Sequence, residues 1–262
     1  MYGAGQFVMK KIFPDMSFLH CDYNPSFDGQ APEPIAKNLN PFSEFIKNNG
    51  EIAAGLATDG DADRIGLFDE KGDFVDSHHI LLLLLLYLHK YKSMNGKVVV
   101  AASTTPRVVK LAEMWGLEHD TVQIGFKHIA QQMINEDVLI GGEESGGIAI
   151  KGHIPERDGI WMGLIIFEYM AKSGKSLTSL IKEIYELVGE FKYWRDDLHI
   201  NENLKQSIVE SCQNNVFQSF GKYNVQNVDT TDGFKFILSD DEWLMIRPSG
   251  TEPVLRCYAE GK

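Results

Sequence analysis

Three aspartates spaced two residues apart form the strongest chemical signal in this sequence. Asp59, Asp61 and Asp63 stand in the segment Asp-Gly-Asp-Ala-Asp-Arg, directly after an apolar run predicted to be a strand. In extended backbone, residues at this spacing point to the same side, so the three carboxylates can converge. Hard oxygen ligands favour Mg²⁺ or Mn²⁺ over softer metals. The pattern therefore predicts a divalent metal site.

Other interpretations of this segment stay open. An EF-hand loop also begins with alternating aspartates and would place Glu70 at its last ligand position, but Arg64 stands where that loop needs glycine. A solvated acidic turn would need no metal. Asp59 follows a strand, as the nucleophile of a metal-dependent phosphatase would. Arg64 either orients a phosphate beside the metal or pairs with an aspartate, and we favour the first role.

A glycine-rich segment forms the second candidate site. Residues 141–147 read Gly-Gly-Glu-Glu-Ser-Gly-Gly and follow a predicted strand at residues 138–140. Ligands of open α/β sheets bind at the carboxyl ends of strands, and glycines let backbone approach a ligand closely. Glu143 and Ser145 can hold sugar hydroxyls by directed hydrogen bonds. The alternative is a plain glycine-rich turn.

A third segment is suited to anions. Residues 247–253 read Arg-Pro-Ser-Gly-Thr-Glu-Pro between two predicted strands. The guanidinium of Arg247 matches phosphate oxygens, and the hydroxyls of Ser249 and Thr251 with the N–H groups around Gly250 can form an anion-binding nest. A hairpin turn with an incidental arginine is the alternative.

Single residues outside these segments are weaker candidates. Lys127, in Gly-Phe-Lys-His, can bind phosphate or move a proton, or it is an ordinary exposed lysine at a helix start. Arg157 is a possible phosphate contact, and Asp158 is predicted to cap the helix that follows. Ser103 is interpreted as a turn residue and not as a nucleophile.

The predicted elements around these residues indicate an α/β protein. Strands and helices alternate from residue 76 to about residue 194, which favours a parallel sheet covered on both faces. Within this region the leucine-rich run at residues 80–88 is predicted to be a buried helix, capped by Asp76 or Ser77. Before residue 76 we predict helices over 1–13 and 41–49 and strands at 16–21, 52–58 and 65–68.

The last part of the chain differs in pattern. A helix predicted over residues 202–220 precedes strand-like runs at 223–228, 234–238, 243–246 and 254–260. Short connections between such runs favour an antiparallel sheet with helical cover.

Composition narrows the class of protein. The formal net charge of −12 argues against nucleic acid or an anionic membrane as the main partner. The apolar run is too short to cross a membrane. Three widely spaced cysteines suggest reduced thiols, so we expect a cytoplasmic protein.

The order and spacing of the three segments, with Gly-Phe-Lys-His-Ile between the first two, resemble the alpha-D-phosphohexomutases. That family includes phosphoglucomutase, phosphomannomutase and phosphoglucosamine mutase. The resemblance implies two three-layer α/β domains followed by a small α+β domain. Their expected bounds are 1–75 with the metal-binding loop, 76–195 with the sugar-binding loop and 196–262 with the phosphate-binding loop.

The resemblance also implies a role for each candidate residue. Asp59, Asp61 and Asp63 would bind Mg²⁺, with Arg64 beside them and Lys127 in the cleft. Glu143 and Ser145 would contact the sugar of a glucose or mannose phosphate. The non-transferring phosphate would be held by Arg247, Ser249, Gly250 and Thr251. The three loops are expected to converge on one hollow.

The implied reaction interconverts hexose 1-phosphate and hexose 6-phosphate through a bisphosphate. The family's phosphorylated serine lies in a Ser-His-Asn-Pro setting, and no such segment occurs in these 262 residues. We therefore expect this chain alone to be inactive. A phosphoglucosamine mutase and a non-catalytic sugar-phosphate or metal-binding module stay as alternatives. Gly147, where some relatives carry histidine, favours phosphoglucomutase.

Overall fold

Two structural units make up the part of the chain that the computed structural model describes, residues 2–249 and 254–262. The first comprises Met1–Thr121 and Gly125–Val188. The second comprises Val122–Ile124 and Gly189–Lys262. The aspartate and glutamate–glycine segments belong to the first unit, and the arginine segment belongs to the second.

A small antiparallel sheet opens the first unit. Its strands, in spatial order, are β1 (Gly55–Thr58), β2 (Ile65–Phe68) and β3 (Phe74–Val75). The short loops between them allow only antiparallel pairing, because a parallel pair needs a longer crossover. Helices α1 (Gly5–Ile12) and α2 (Asn40–Lys47) precede the sheet, and α2 packs its apolar face against β1 and β2.

A mixed sheet forms the other part of this unit. Its strands are β4 (Lys97–Ala101), β5 (His119–Val122), β6 (Val138–Gly142) and β7 (Ile148–Ile150), in the spatial order β5-β4-β6-β7. β4 and β6 are parallel, whereas β6 and β7 are antiparallel. The helices are α3 (Ser77–Leu86), α4 (Arg107–Met114), α5 (Phe126–Asn135), α6 (Gly159–Ser173) and α7 (Leu177–Val188).

The leucine-rich helix α3 connects the two sheets. All of its residues are buried, and it packs against α4, α6 and α7 as well as strands β2 and β6. A helix enclosed on every side needs apolar residues all round, which is what the leucine run supplies. The predicted buried helix is thereby confirmed. Among the described residues, every helix is too short or too polar to span a lipid bilayer.

The start of α3 is fixed by Asp76, one of the two predicted caps. Its carboxylate accepts the backbone N–H of His79 at 3.0 Å and lies 2.7 Å from the Nδ1 atom of the same residue. Burial raises the pKa of Asp76, but the charge and hydrogen bonds of His79, with the charge of His78, outweigh it and hold this pKa below its usual value. The ionised carboxylate therefore stabilises the folded state.

Replacing Asp76 by alanine should destabilise the protein by about 1–2 kcal/mol at pH 7. The pKa of an aspartate is about 3.9 in the unfolded chain and lower here when folded, so the ionic contribution is complete above about pH 4 and is lost progressively as the pH falls from there through the folded pKa. Urea unfolding at pH 7 and pH 3 measures the free energy of unfolding of the wild type, Asp76→Ala and the exposed control Asp15→Ala. A difference that grows on acidification below pH 4 would contradict the assignment.

The second unit is an antiparallel sheet with one main helix. The sheet has the spatial order β11-β12-β13-β14-β8. Its elements are β8 (Lys192–His199), α8 (Glu202–Gln213), β9 (Ser219–Phe220), β10 (Tyr223–Asn224), β11 (Asn227–Asp229), β12 (Phe234–Ile237), β13 (Trp243–Pro248) and β14 (Val254–Gly261). Cys212 of α8 shares a buried apolar cluster with Phe236, Ile246 and Leu255 of the sheet.

Several predicted elements were wrong. The sheet of residues 76–188 is not wholly parallel, because the short β7 folds back beside β6. Residues 16–21 form no strand. The helix predicted over residues 202–220 ends at Gln213, where Asn215 takes a left-handed φ of 52° that stops helical pairing. β8 was missed because its strongly polar residues hide the two-residue period.

Candidate functional site

The aspartate segment forms the loop between β1 and β2, residues 59–64. Ala62 has a φ of 66°, which turns the chain sharply. Asp59, Asp61 and Asp63 each place a carboxylate oxygen within 4.8 Å of the other two. The loop thus brings the three carboxylates together.

These carboxylates differ in exposure. Asp59 is buried, Asp63 is half-buried and Asp61 is exposed. The pKa of Asp63 is raised to about 6, first by burial and also by the charges of Asp59 and Asp61, against the lowering effect of Arg157. A bound cation reduces the electrostatic repulsion between clustered carboxylates, and an all-oxygen ligand set suits Mg²⁺. The residues present therefore fit the divalent ion that the sequence predicted.

Arg64 closes the aspartate loop on itself. Its backbone N–H and its Nε atom both donate to the carboxylate of Asp59, at 3.1 and 2.5 Å. Its Nη1 atom donates to Glu33 at 3.1 Å. The side chain is thus paired with carboxylates, and a direct role toward phosphate stays a prediction.

The glutamate–glycine loop continues from the end of β6. The N–H of Glu143 donates to the carbonyl oxygen of Gly147 at 3.0 Å, which closes the turn. The carboxylate of Glu143 accepts the N–H of Gly125 at 2.8 Å. Burial raises the pKa of this carboxyl, although the Gly125 hydrogen bond opposes the rise. The loop therefore fixes one buried acceptor, with half-buried Ser145 two residues further on.

Glu144 anchors the same loop from the other side. The hydroxyl of Ser103 donates to its carboxylate, and the hydroxyl of Ser77 donates to its carbonyl oxygen. Ser103 is fully buried, so this contact orders the loop from within the unit. This anchor is not evident from the sequence, because neither serine is near Glu144 in the chain.

The two loops are joined through backbone. Arg64 and Gly147 form an antiparallel β-bridge, and the N–H of Ile65 donates to the carbonyl oxygen of Gly146 at 3.1 Å. Gly146 has a φ of 93°, and a Cβ there would lie 2.6 Å from the Ile65 carbonyl oxygen. Only glycine permits this approach without strain. The aspartate loop and the glutamate–glycine loop are therefore joined within the first unit, and their roles toward metal and sugar stay predictions.

Arg157 is a further residue of this site. Its Nη2 atom lies 2.7 Å from the Asp63 carboxylate, and its guanidinium lies 5.5 Å from the ring centroid of Phe126. The next residue, Asp158, caps α6 by accepting the N–H of Trp161 at 2.9 Å, as predicted. The sequence predicts only a phosphate contact for Arg157, because no local pattern reveals a partner in a different loop.

Lys127 lies in the first turn of α5. Its side chain is exposed, and the helix begins after Gly125, which has a φ of 128°. The Gly125 N–H that contacts Glu143 places this helix start next to the glutamate–glycine loop. A role for Lys127 in binding or proton transfer stays a prediction.

The arginine segment of the second unit ends β13. The Nε atom of Arg247 donates to Asp232 at 3.0 Å. The N–H of Ser249 donates to the Val254 carbonyl oxygen at 3.0 Å, and the Nζ atom of Lys205 donates to the Ser249 carbonyl oxygen at 2.8 Å. The segment thus carries the guanidinium of Arg247 and is contacted by the ammonium group of Lys205. The predicted phosphate contacts Gly250 and Thr251 lie outside the described residues.

Three stretches of the chain match models of one protein family. Residues 1–72 match phosphoglucomutase/phosphomannomutase, alpha/beta/alpha domain II, and residues 76–188 match its alpha/beta/alpha domain III. Residues 204–262 match the C-terminal domain of the same family. The expected fold class, two α/β domains followed by a small α+β domain, is confirmed by these matches and by the architecture.

Individual proteins are similar over nearly the whole chain. A phosphoglucomutase/phosphomannomutase of Thermococcus kodakarensis is 30% identical over 264 residues, covering 99% of this chain and 55% of the relative. A phosphoglucosamine mutase of Methanococcus maripaludis is 31% identical over 246 residues, covering 93% and 52%. The crystal structure of a Thermus thermophilus protein assigned as a phosphomannomutase superposes with a TM-score of 0.81 at 31% identity, covering 99% and 55%. The chain spans about half the length of the relatives it matches.

Proposed function

The chain belongs to the phosphoglucomutase/phosphomannomutase family, and from this premise we propose that it carries the metal-, sugar- and phosphate-binding loops of a phosphohexomutase. The reaction would interconvert hexose 1-phosphate and hexose 6-phosphate. The observation that supports this most directly is the β-bridge between Arg64 and Gly147, because it joins the carboxylate cluster to the glutamate–glycine loop, whose side chains could bind sugar hydroxyls. The alternative, a solvated acidic turn without a metal, does not account for this backbone connection.

The first unit would bind the metal and the sugar. Asp59, Asp61 and Asp63 would hold Mg²⁺, which supplies charge neutralisation for phosphoryl transfer when bound. Glu143 would accept hydrogen bonds from sugar hydroxyls, since its buried carboxylate is already fixed by the Gly125 N–H. Ser145 would add a second directed contact.

The second unit would hold the phosphate that is not being transferred. Arg247 is oriented by Asp232 through its Nε atom, which leaves the two Nη groups as a donor pair for phosphate oxygens. Ser249, Gly250 and Thr251 would complete the nest. Such a nest of donors can accept the phosphate at either end of the sugar, as an interconversion requires.

A phosphoserine would be the group that exchanges phosphate. Its phosphoryl group would pass to the free hydroxyl of the hexose phosphate, giving a hexose bisphosphate and a free serine. The phosphoryl group at the other sugar position would then return to the serine and release the isomeric monophosphate. Lys127 would move the proton that each hydroxyl loses or gains, and Arg64 would steady the loop beside the reacting phosphate.

The preferred substrate is proposed from one residue. Gly147 stands where some relatives carry histidine, and this favours glucose or mannose phosphate in the manner of phosphoglucomutase. The relatives above include a phosphoglucomutase/phosphomannomutase and a phosphoglucosamine mutase at nearly equal identity, so a phosphoglucosamine mutase is the second candidate. We also propose domain boundaries after residues 75 and 195 and a cytoplasmic location.

Calorimetric titration tests the proposal. Glucose 1-phosphate should bind the 262-residue protein more tightly with Mg²⁺ than without it, whereas glucose should not bind measurably. Glucosamine 1-phosphate should bind more weakly than glucose 1-phosphate. The same protein mixed with glucose 1-phosphate should form no glucose 6-phosphate in a coupled assay, because no Ser-His-Asn-Pro segment is present. Absence of sugar-phosphate binding would refute the proposed function, whereas enzyme-like turnover would refute the expected inactivity of this chain alone.

A further inference from the structure

Arg157 is in contact with all three parts of the first-unit site. It forms an ion pair with Asp63 of the aspartate loop, with Nη2 and Oδ2 2.7 Å apart. Its guanidinium stacks over Phe126, at the start of the helix that carries Lys127. Its side-chain stem packs directly against the backbone of Gly147 in the glutamate–glycine loop.

The ion pair involves a carboxylate that is part of the cation-binding cluster. Arg157 and Asp63 have side-chain exposures of 31% and 21%, so the pair is only partly screened by water. The other oxygen of Asp63 lies 3.8 Å from the Nε atom of Arg64. A guanidinium at hydrogen-bond distance therefore occupies Oδ2 of Asp63, one of the two oxygens of this side chain with which a divalent cation could bind.

We propose that Arg157 is a positioning residue that neutralises Asp63 in the metal-free protein and competes with the divalent cation for this carboxylate. This inference rests on the proposed metal role of the aspartate cluster. When the cation binds, the guanidinium leaves Asp63 and is held by the Phe126 ring next to Glu143, where it can donate hydrogen bonds to an anionic substrate group. Cation and sugar phosphate then strengthen each other's binding, as linkage requires.

Gly147 permits the position that Arg157 takes beside Asp63. A Cβ at position 147 would lie 2.4 Å from Cδ and 3.1 Å from Cγ of Arg157. The clash involves the middle of the arginine side chain, so even a methyl group must push Arg157 away from its place. Gly147 does not have a positive φ, so alanine there strains no backbone. Gly147→Ala therefore shifts Arg157 while leaving every charge in place.

Titration with Mn²⁺, followed by calorimetry, tests the competition directly. Arg157→Gln should bind Mn²⁺ about three- to tenfold more tightly than the wild type, because a positive charge close to the ion is gone. Arg157→Lys should bind close to the wild-type value. Lys172→Gln is the matched control, because it removes one positive charge at the other end of α6, roughly 20 Å away, where salt screens it.

The sign of the effect separates this role from a structural one. If Arg157 only braces the loop, Arg157→Gln will weaken Mn²⁺ binding or leave it unchanged, and either result overturns the inference. If the wild type itself binds no Mn²⁺, the proposed function fails as well. Tighter binding by Arg157→Gln with an unchanged Lys172→Gln supports the competition.

A double-mutant cycle adds an independent test. Gly147→Ala should also tighten Mn²⁺ binding, by less than Arg157→Gln, and should have no further effect in the Arg157→Gln background. Additive effects of the two changes would overturn the link between them. With saturating Mn²⁺, Arg157→Gln should bind glucose 1-phosphate about tenfold more weakly than the wild type. Equal affinity there would overturn the second half of the proposal.

Discussion

Asp61→Asn should weaken Mg²⁺ or Mn²⁺ binding on the order of a hundredfold while leaving the metal-free protein as stable as the wild type. Asp61 is the exposed member of the carboxylate cluster, whereas Asp59 and Asp63 are paired with Arg64 and Arg157. Losing one charged ligand removes more affinity than altering an outer partner, which already costs about 10–100-fold. Because neutralisation also relieves repulsion between carboxylates, no loss of stability accompanies it.

Calorimetry with Mn²⁺ and thermal unfolding of the same samples measure both effects. Asp15→Asn serves as the control, since it removes one exposed carboxylate from the same unit outside the cluster. A cluster that is only a solvated acidic turn predicts no cation binding to lose. Equal Mn²⁺ affinity in Asp61→Asn and the wild type would therefore remove the aspartate loop from the metal site.

Arg247→Ala should weaken glucose 1-phosphate binding by about ten- to a hundredfold, the second large effect. A charge-assisted hydrogen bond to phosphate contributes about 1.5–3 kcal/mol, which corresponds to this range. Arg247→Lys should recover only part of the loss, because an ammonium group cannot form the paired contact of a guanidinium. The change acts in the second unit, so Mn²⁺ affinity should stay at the wild-type value.

The ion pair between Arg247 and Asp232 provides a control for this experiment. Asp232→Asn keeps the arginine and removes only its charged partner, so sugar-phosphate affinity should be retained or increased. Lys222→Ala removes an exposed positive charge from the same unit and should have no effect. If Arg247→Ala binds glucose 1-phosphate as tightly as the wild type and the two controls, Arg247 is an incidental arginine in a hairpin, the alternative that the sequence left open.

Local features of the fold followed from the sequence with good accuracy. The strands on either side of the aspartate loop, the buried leucine helix and the caps Asp76 and Asp158 are where the pattern predicted them. These features depend on side-chain period and on hydrogen bonds within a few residues. Such interactions depend on residues close together in the sequence, so they can be predicted without the rest of the chain.

Elements without a clear period were not predictable in the same way. The strand β8 alternates in exposure, but its residues are almost all polar or aromatic, so no apolar period marks it. β7 has three residues and follows a glycine-rich loop, and it pairs with β6 only because that loop turns the chain back. In both cases the neighbouring strand, and not the segment itself, determines the structure.

The sequence by itself determined which residue types could bind a divalent cation, a sugar and a phosphate, and in which loops they stand. Only the tertiary structure decided that the aspartate and glutamate–glycine loops share a backbone bridge, that Arg64 reaches Glu33 and that Arg157 faces Asp63. The physical reason is that these contacts join segments far apart in the chain. Their pairing is set by how the strands and α3 pack, which no single segment encodes.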